Sequence, residues 1–185
     1  MVLTVVGALT ATAFFFFGLA FITLGMMGLG KGKADGAGTV FLFVGIINGI
    51  LGFVLLTLSL NGFIFGVLDE ASAAGNISTA LLVLIFAITW LAAGVINLRG
   101  YDLMPLGNAG ILMGLFMLVY AVVFAQGGAW WLLVNVISWA WAFWSVTLAS
   151  YGKLSLKAVG WTFLVQAFYT LWIPATLLLL GIPLP

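Results

Sequence analysis

The chain has 185 residues, 65% of them hydrophobic and 5% charged, with a net charge of +1 and neither cysteine nor histidine. Soluble domains carry roughly 25% charged residues, so this composition describes an integral membrane protein with almost no soluble part. It excludes disulfides, thiolate chemistry and thiol or imidazole metal sites, leaves no side chain that ordinarily titrates near neutral pH, and offers a nucleic acid no basic surface.

Six segments reach the roughly 20 residues that a membrane-crossing helix needs: residues 3–29, 40–60, 79–98, 106–125, 130–151 and 158–180. The apolar start at Val2 lacks a basic run, so it reads as the first membrane helix rather than a cleaved signal. In the second segment Asn61-Gly62 is a weak interruption, and because apolar residues follow it the span can extend to Val67. Linkers this short force neighbouring helices to run antiparallel. Lys31 and Lys33 lie in the first linker, Arg99 in the third, Lys153 and Lys157 in the fifth; the second holds only Asp69 and Glu70. With every basic residue in an odd linker, the positive-inside rule places those linkers in the cytoplasm and both termini outside. The expected fold is therefore an all-α integral membrane protein: one domain over residues 1–185, six transmembrane helices arranged as three helical hairpins, each closed by a basic turn.

Inside the spans there is no Asp, Glu, Lys, Arg or His. Intramembrane ionisable groups mark pumps, proton relays and voltage sensors, and general acids, bases and metal ligands are what an enzyme requires. None of those classes fits, and no cofactor is called for. The polar residues that remain are neutral, among them Thr23, Asn48, Thr89, Asn97, Asn135, Ser138, Thr162, Gln166, Tyr169 and Thr170. On the third segment Phe86, Trp90, Ala93 and Asn97 follow one another at i, i+4, i+7, i+11, and so share a helix face.

The fifth segment is the most distinctive. Residues 130–144 hold five of the eight tryptophans. At 100° per residue, Trp130, Ile137, Trp141 and Trp144 share a bulky face suited to lipid or a neighbouring helix. Trp131, Asn135, Ser138 and Ala142 share another, bordered by Trp139 and Phe143. Such a stripe serves either helix packing or a narrow path for a neutral, hydrogen-bonding solute. On the sixth segment Thr162, Gln166 and Thr170 stand at i, i+4, i+8, and Pro174 is expected to kink the helix and free backbone carbonyls. An unpaired carboxamide near mid-bilayer costs several kcal/mol, so Gln166 must meet a partner or water.

These residues together resemble the AmiS/UreI urea and short-chain amide channels. The resemblance runs through Phe16-Phe17-Gly18, Gly25-Met26-Met27-Gly28-Leu29, Phe43-Val44-Gly45, Gly100-Tyr101-Asp102 with Pro105, the tryptophan-rich fifth span, and Trp161, Gln166 and Thr170-Leu171-Trp172-Ile173-Pro174-Ala175 in the sixth. It implies a six-helix protomer in the bacterial inner membrane, assembled as a homohexamer in which each protomer has its own path. It places pathway aromatics near Phe14, Phe17 and Phe21 on the first span and at Phe86 and Trp90 on the third. On the fifth span an ungapped match selects Trp131, Asn135, Ser138 and Ala142, whereas a one-residue slip selects Trp139 and Phe143. The sequence departs from the acid-gated members: Gln166 stands where they carry a carboxylate, the external loop is short and lacks histidine, and smaller residues replace constricting tryptophans.

The function expected on these grounds is a passive, ungated channel for urea and short aliphatic amides, supplying a cytoplasmic amidase or urease. Constriction falls to Phe86, Trp90, Trp131 and Trp139, and transient hydrogen bonding to Asn135 and Gln166, with Thr170 in the same stripe. The rival expectations are a secondary transporter of amides and a membrane assembly protein without transport.

Overall fold

Hydrocarbon offers no partner for a peptide group, so an apolar segment that enters it closes its hydrogen bonds within one helix. The computed structural model describes residues 5–182, and each apolar segment there forms such a helix: α1 (Val5–Gly28), α2 (Ala34–Ile64), α3 (Glu70–Arg99), α4 (Met104–Gln126), α5 (Trp130–Ser150) and α6 (Leu156–Leu179). All six are long and apolar enough to cross a membrane. No strand occurs among the described residues. The expected start of the first span at residue 3 lies outside them.

Two helices exceed the expected bounds. α2 has 31 residues and α3 has 30, so residues 61–78 are helical apart from a turn at 65–69. At 1.5 Å per residue α2 is about 46 Å long, more than the roughly 30 Å of a bilayer's hydrocarbon core. Asn61-Gly62 does not interrupt it: the Asn61 carbonyl still accepts the Phe65 N–H at 2.9 Å, and Gly62 makes room for the returning Leu68. Asp69 then caps α3, its carboxylate accepting the Ser72 N–H at 2.7 Å. The acidic pair therefore starts a helix as well as marking a turn. At the other end of α3, Gly100 adopts φ +63°, the left-handed cap that lets the chain reverse beside Arg99.

α6 is continuous but not uniform. Ala167–Trp172 winds as a π-helix just before Pro174, so the distortion expected at the proline is taken up by a wider turn.

Small residues decide how the helices pack, as is usual where lipid competes for every apolar contact. On α2, Gly38, Gly45 and Gly52 recur every seven residues along α3; a methyl on Gly38 would lie 2.9 Å from the Gly94 carbonyl oxygen. On α4, Gly107, Gly110 and Gly114 receive Ser150, Thr147 and Trp144 of α5, and the Thr147 hydroxyl donates to the Gly107 carbonyl at 2.7 Å. On α1, Gly25 and Gly28 meet Gly160 of α6 backbone to backbone: a methyl on either would come within 2.9 Å of Gly160 main-chain atoms. Farther along that seam Trp172 covers Gly18, stacks on Phe15 at a ring separation of 5.5 Å and donates its indole N–H to the Phe15 carbonyl at 3.1 Å.

The tightest pairs are consequently α2 with α3, α4 with α5 and α1 with α6, while α3 and α4 scarcely touch. The hairpins expected from the basic turns describe connectivity; glycine placement selects different partners.

Leucine at Gly160 should overpack the α1–α6 seam and lower stability by about 1–3 kcal/mol or more, read as a fall in Tm in detergent. Gly75, with nothing within 4 Å of an added methyl, should by contrast tolerate alanine or gain up to about 1 kcal/mol. Hydrogen bonds from the Ser72 backbone N–H and then its hydroxyl hold the Asp69 carboxyl below its ordinary 3.8. Its contribution to stability is then complete above that value and disappears as pH falls through the lower folded one. Asp69→Ala should lower Tm at pH 7, and the gap from wild type should close in strong acid.

Candidate functional site

The bundle interior is built from aromatic rings contributed by α1, α2, α3, α5 and α6. Phe86 is the hub. Its ring lies 4.9 Å from Phe17, 5.2 Å from Trp139 and 5.4 Å from Phe143. Trp90, one turn further along α3, meets Phe41 at 5.1 Å and Phe21 at 5.7 Å, and Phe21 meets Phe163 at 4.7 Å. Phe14 approaches Trp139 edge-on at 6.1 Å. Edge-to-face and tilted contacts of this kind favour a tightly closed aromatic layer.

Beside this layer runs a chain of neutral polar groups. The Trp139 indole N–H donates to the Thr170 hydroxyl at 2.8 Å, which donates in turn to the Gln166 carbonyl at 2.7 Å. The Gln166 side-chain amide donates to the Ser138 carbonyl at 2.8 Å. Pro174 offers the ladder no N–H, and just before it Asn135 Nδ2 of α5 donates to the Thr170 carbonyl at 3.4 Å. In both carboxamides the nitrogen is bonded and the oxygen is not: Asn135 Oδ1 and Gln166 Oε1 are buried without a partner, as are the indole nitrogens of Trp90 and Trp131.

A cavity of about 120 Å³ occupies the end of the bundle that carries the basic turns. Leu103 and Leu156 stand at its rim; Asn97, Thr89 and Ser150 supply polar atoms along an otherwise apolar wall; Trp90, Phe41, Phe143 and Phe163 also line it. It fills the space left where α3 and α4 separate. Beyond Phe143, away from the basic turns, come Phe86 and Trp139, so the aromatic layer forms the floor.

The residues singled out in the sequence divide accordingly. Phe14, Phe17, Phe21, Phe86, Trp90, Asn135, Trp139, Ala142, Gln166 and Thr170 are all buried, none above 4% exposure. Trp131 and Ser138 are half-buried, Trp131 packing edge-on against Tyr169 at 6.4 Å. Trp130, Ile137 and Trp141 look outward. Trp139 rather than Trp131 is the α5 tryptophan against Phe86, while Asn135 and Ala142 of the other register are buried as well. Sequence reasoning missed Phe41 and Phe163 as members of the layer. Phe41 shares an α2 face with Val44, Asn48, Leu55 and Ser59, all buried to within 1%, and that i, i+3, i+7 spacing was the available signal.

Thr170→Val keeps the shape of the side chain but leaves the Trp139 N–H without an acceptor, which should cost about 1–3 kcal/mol. Thermal unfolding in detergent should show the loss, and Thr170→Ser should restore most of it.

The fold is shared with solved structures. The cryo-electron microscopy structure of the Helicobacter pylori urea channel in its closed state superposes with a TM-score of 0.78 at 19% identity, covering 92% of this chain and 97% of that one. The crystal structure of the urea channel from the same human gastric pathogen gives 0.77 at 20% identity, covering 93% and 98%. No curated protein sequence matches the chain significantly. The sequence profile of the AmiS/UreI family transporters matches residues 9–182. A match over nearly the whole length, on a six-helix membrane bundle with an uncharged interior, makes this chain a member of the AmiS/UreI family of transporters.

Proposed function

We propose that the protein is a passive channel for urea and short-chain aliphatic amides. The observation that carries this reading is the interior itself: aromatic faces beside carboxamide oxygens and indole N–H groups that are buried and unbonded, with no ionisable side chain among them. Stripping an amide of water without replacement costs about 4–8 kcal/mol. Asn135 Oδ1 and Gln166 Oε1 would accept its N–H groups, and the Trp90 N–H would donate to its carbonyl. Passing on the order of a million molecules per second tolerates a barrier of roughly 9 kcal/mol, so a few such bonds plus ring stacking suffice and no coupling energy is needed. The solved relatives of this fold are urea channels by their descriptions, which supports urea as one permeant.

The path runs from the outer side past Trp131 and Asn135, through the layer of Phe14, Phe17, Phe86 and Trp139, and into the cavity at Trp90. In this conformation the rings are in contact, so a permeant passes by parting them. Ser138, Ala142, Phe21, Gln166 and Thr170 also line it. The basic turns set the cavity in the cytoplasm and both termini in the periplasm of a bacterial inner membrane. There the cavity would deliver solute to an amidase or urease, and the protomers would assemble as a hexamer with one path each.

Stopped-flow swelling of sealed liposomes tests the reading. Urea, formamide and acetamide should enter much faster than in empty vesicles, linearly with concentration and without any ion gradient; saturation at low concentration or dependence on a gradient would identify a carrier instead. Gln166→Leu and Trp90→Ala should each change amide flux several-fold. With no histidine in the chain and no ionisable group in the pathway, flux should be nearly flat between pH 5 and 8, and a steep rise on acidification would refute the absence of proton gating.

A further inference from the structure

Asn48, in the middle of α2, is fully buried, and neither its amide nitrogen nor its oxygen has a hydrogen-bond partner. Other polar side chains of the spans are satisfied locally: Thr12, Thr23, Ser59 and Asn97 each donate to the carbonyl one turn back in their own helix. Asn135 and Gln166 each bond through nitrogen. Asn48 alone among the interior carboxamides has its whole hydrogen-bonding capacity unused, a costly state in a low-dielectric interior. Its own chain covers it completely in this closed conformation, so it faces the bundle interior rather than lipid, and a solute would reach it only as the rings part.

Its position shows what it faces. Gly38, Gly45 and Gly52 line the α3 side of α2, whereas Asn48 falls on the adjoining inner face with Phe41, Val44, Leu55 and Ser59. Phe41 lines the cavity, and Asn48 stands two turns, about 10 Å, farther from the basic end. The register of the α2–α3 seam sets its height: Gly45 meets Leu91 and Ala87, and Gly52 meets Leu84, so Asn48 lies opposite the turn of α3 that carries Phe86. The hub of the aromatic layer therefore has a free carboxamide at its own level, on a third helix besides those that bear Asn135 and Gln166.

We propose that Asn48 is a solute-reading residue of the pathway, donating through Nδ2 to the carbonyl of a urea or primary amide and accepting one of its N–H groups at Oδ1 as the molecule passes the Phe86 level. This inference rests on the channel reading above. The chemistry is complementary: three free carboxamide oxygens, on Asn48, Asn135 and Gln166, suit a solute rich in N–H donors, and Asn48 Nδ2 is the free amide donor among them for its single carbonyl. Glycerol also donates and accepts through its hydroxyls, but it has no planar amide edge to present an N–H and a carbonyl side by side to one carboxamide, so it would gain less.

The test compares wild type with Asn48→Leu and Asn48→Ala in liposomes of one composition, measuring urea, acetamide and glycerol entry together with Tm in detergent. Leucine replaces an unbonded amide by an apolar side chain of similar size, so Tm should stay level or rise. Urea and acetamide entry should fall about tenfold while glycerol entry changes much less, and alanine should show the same loss of selectivity. A variant with unchanged Tm and an unchanged urea-to-glycerol ratio overturns the inference and leaves the channel intact. So does a fall in Tm accompanied by equal losses for all three solutes, which would make Asn48 part of the framework. Wild-type vesicles no faster than empty ones would instead sink the channel reading itself.

Discussion

The contact on which the rest depends is the backbone approach of α1 to α6. Gly25 and Gly28 admit Gly160 so closely that any side chain there would collide with main-chain atoms. This seam brings the first helix against the last and closes the bundle. It also aims Phe14, Phe17 and Phe21 inward, because a helix that buries one narrow stripe commits its neighbouring face to the interior. Trp172 secures the far end by lying over Gly18 and bonding the Phe15 carbonyl. Between apolar helices in lipid the hydrophobic effect supplies no net attraction, so close approach and a few hydrogen bonds carry the specificity.

Those few bonds concentrate where α6 departs from regular winding. The π-segment and Pro174 leave backbone carbonyls out of the usual ladder. α5 answers with Asn135, which donates to the Thr170 carbonyl, while Trp139 donates to the Thr170 hydroxyl and Gln166 donates to the Ser138 carbonyl of α5. The arrangement fixes the nitrogens of the carboxamides and leaves their oxygens free, which orients the acceptors without neutralising them. A polar interior of this sort is held rigid by its bonded half and remains receptive through the other.

Two consequences follow for transport. The aromatic layer around Phe86 has no charge to attract an ion and no group to relay a proton, so on the channel proposed above it would discriminate by shape, stacking and hydrogen bonding. The cavity on the side of the basic turns exists because α3 and α4 are not drawn together: α3 gives its glycine-facing surface to α2, and α4 gives its own to α5. The vestibule and the tight seams are thus products of one pattern of small residues.

Much of this was legible in the chain. Uninterrupted apolar length sufficed for six helices, since hydrocarbon allows an isolated segment little else. Period alone gave α5 a bulky face of Trp130, Ile137, Trp141 and Trp144, of which the first three look outward and Trp144 packs on Gly114 of α4. It also gave a second face of Trp131, Asn135, Ser138 and Ala142, of which Asn135 and Ala142 are buried and the other two half-buried, and it grouped Phe86 with Trp90 on α3. The position of Pro174 signalled a broken ladder in α6. What the sequence left open depended on neighbours rather than on any one helix. A run of residues states which face is small or polar, but not which other helix receives it, and so the partners of the glycine stripes, the choice of Trp139 over Trp131 beside Phe86, and the membership of Phe41 and Phe163 emerged only from packing. The extra first turns of α3 were hidden for a similar reason: Asp69-Glu70 read as loop until Asp69 closes on Ser72, whereas the apolar run past Asn61-Gly62 already allowed α2 to continue. Local periodicity is a property of the chain; register and pairing belong to surfaces that exist only once the helices meet.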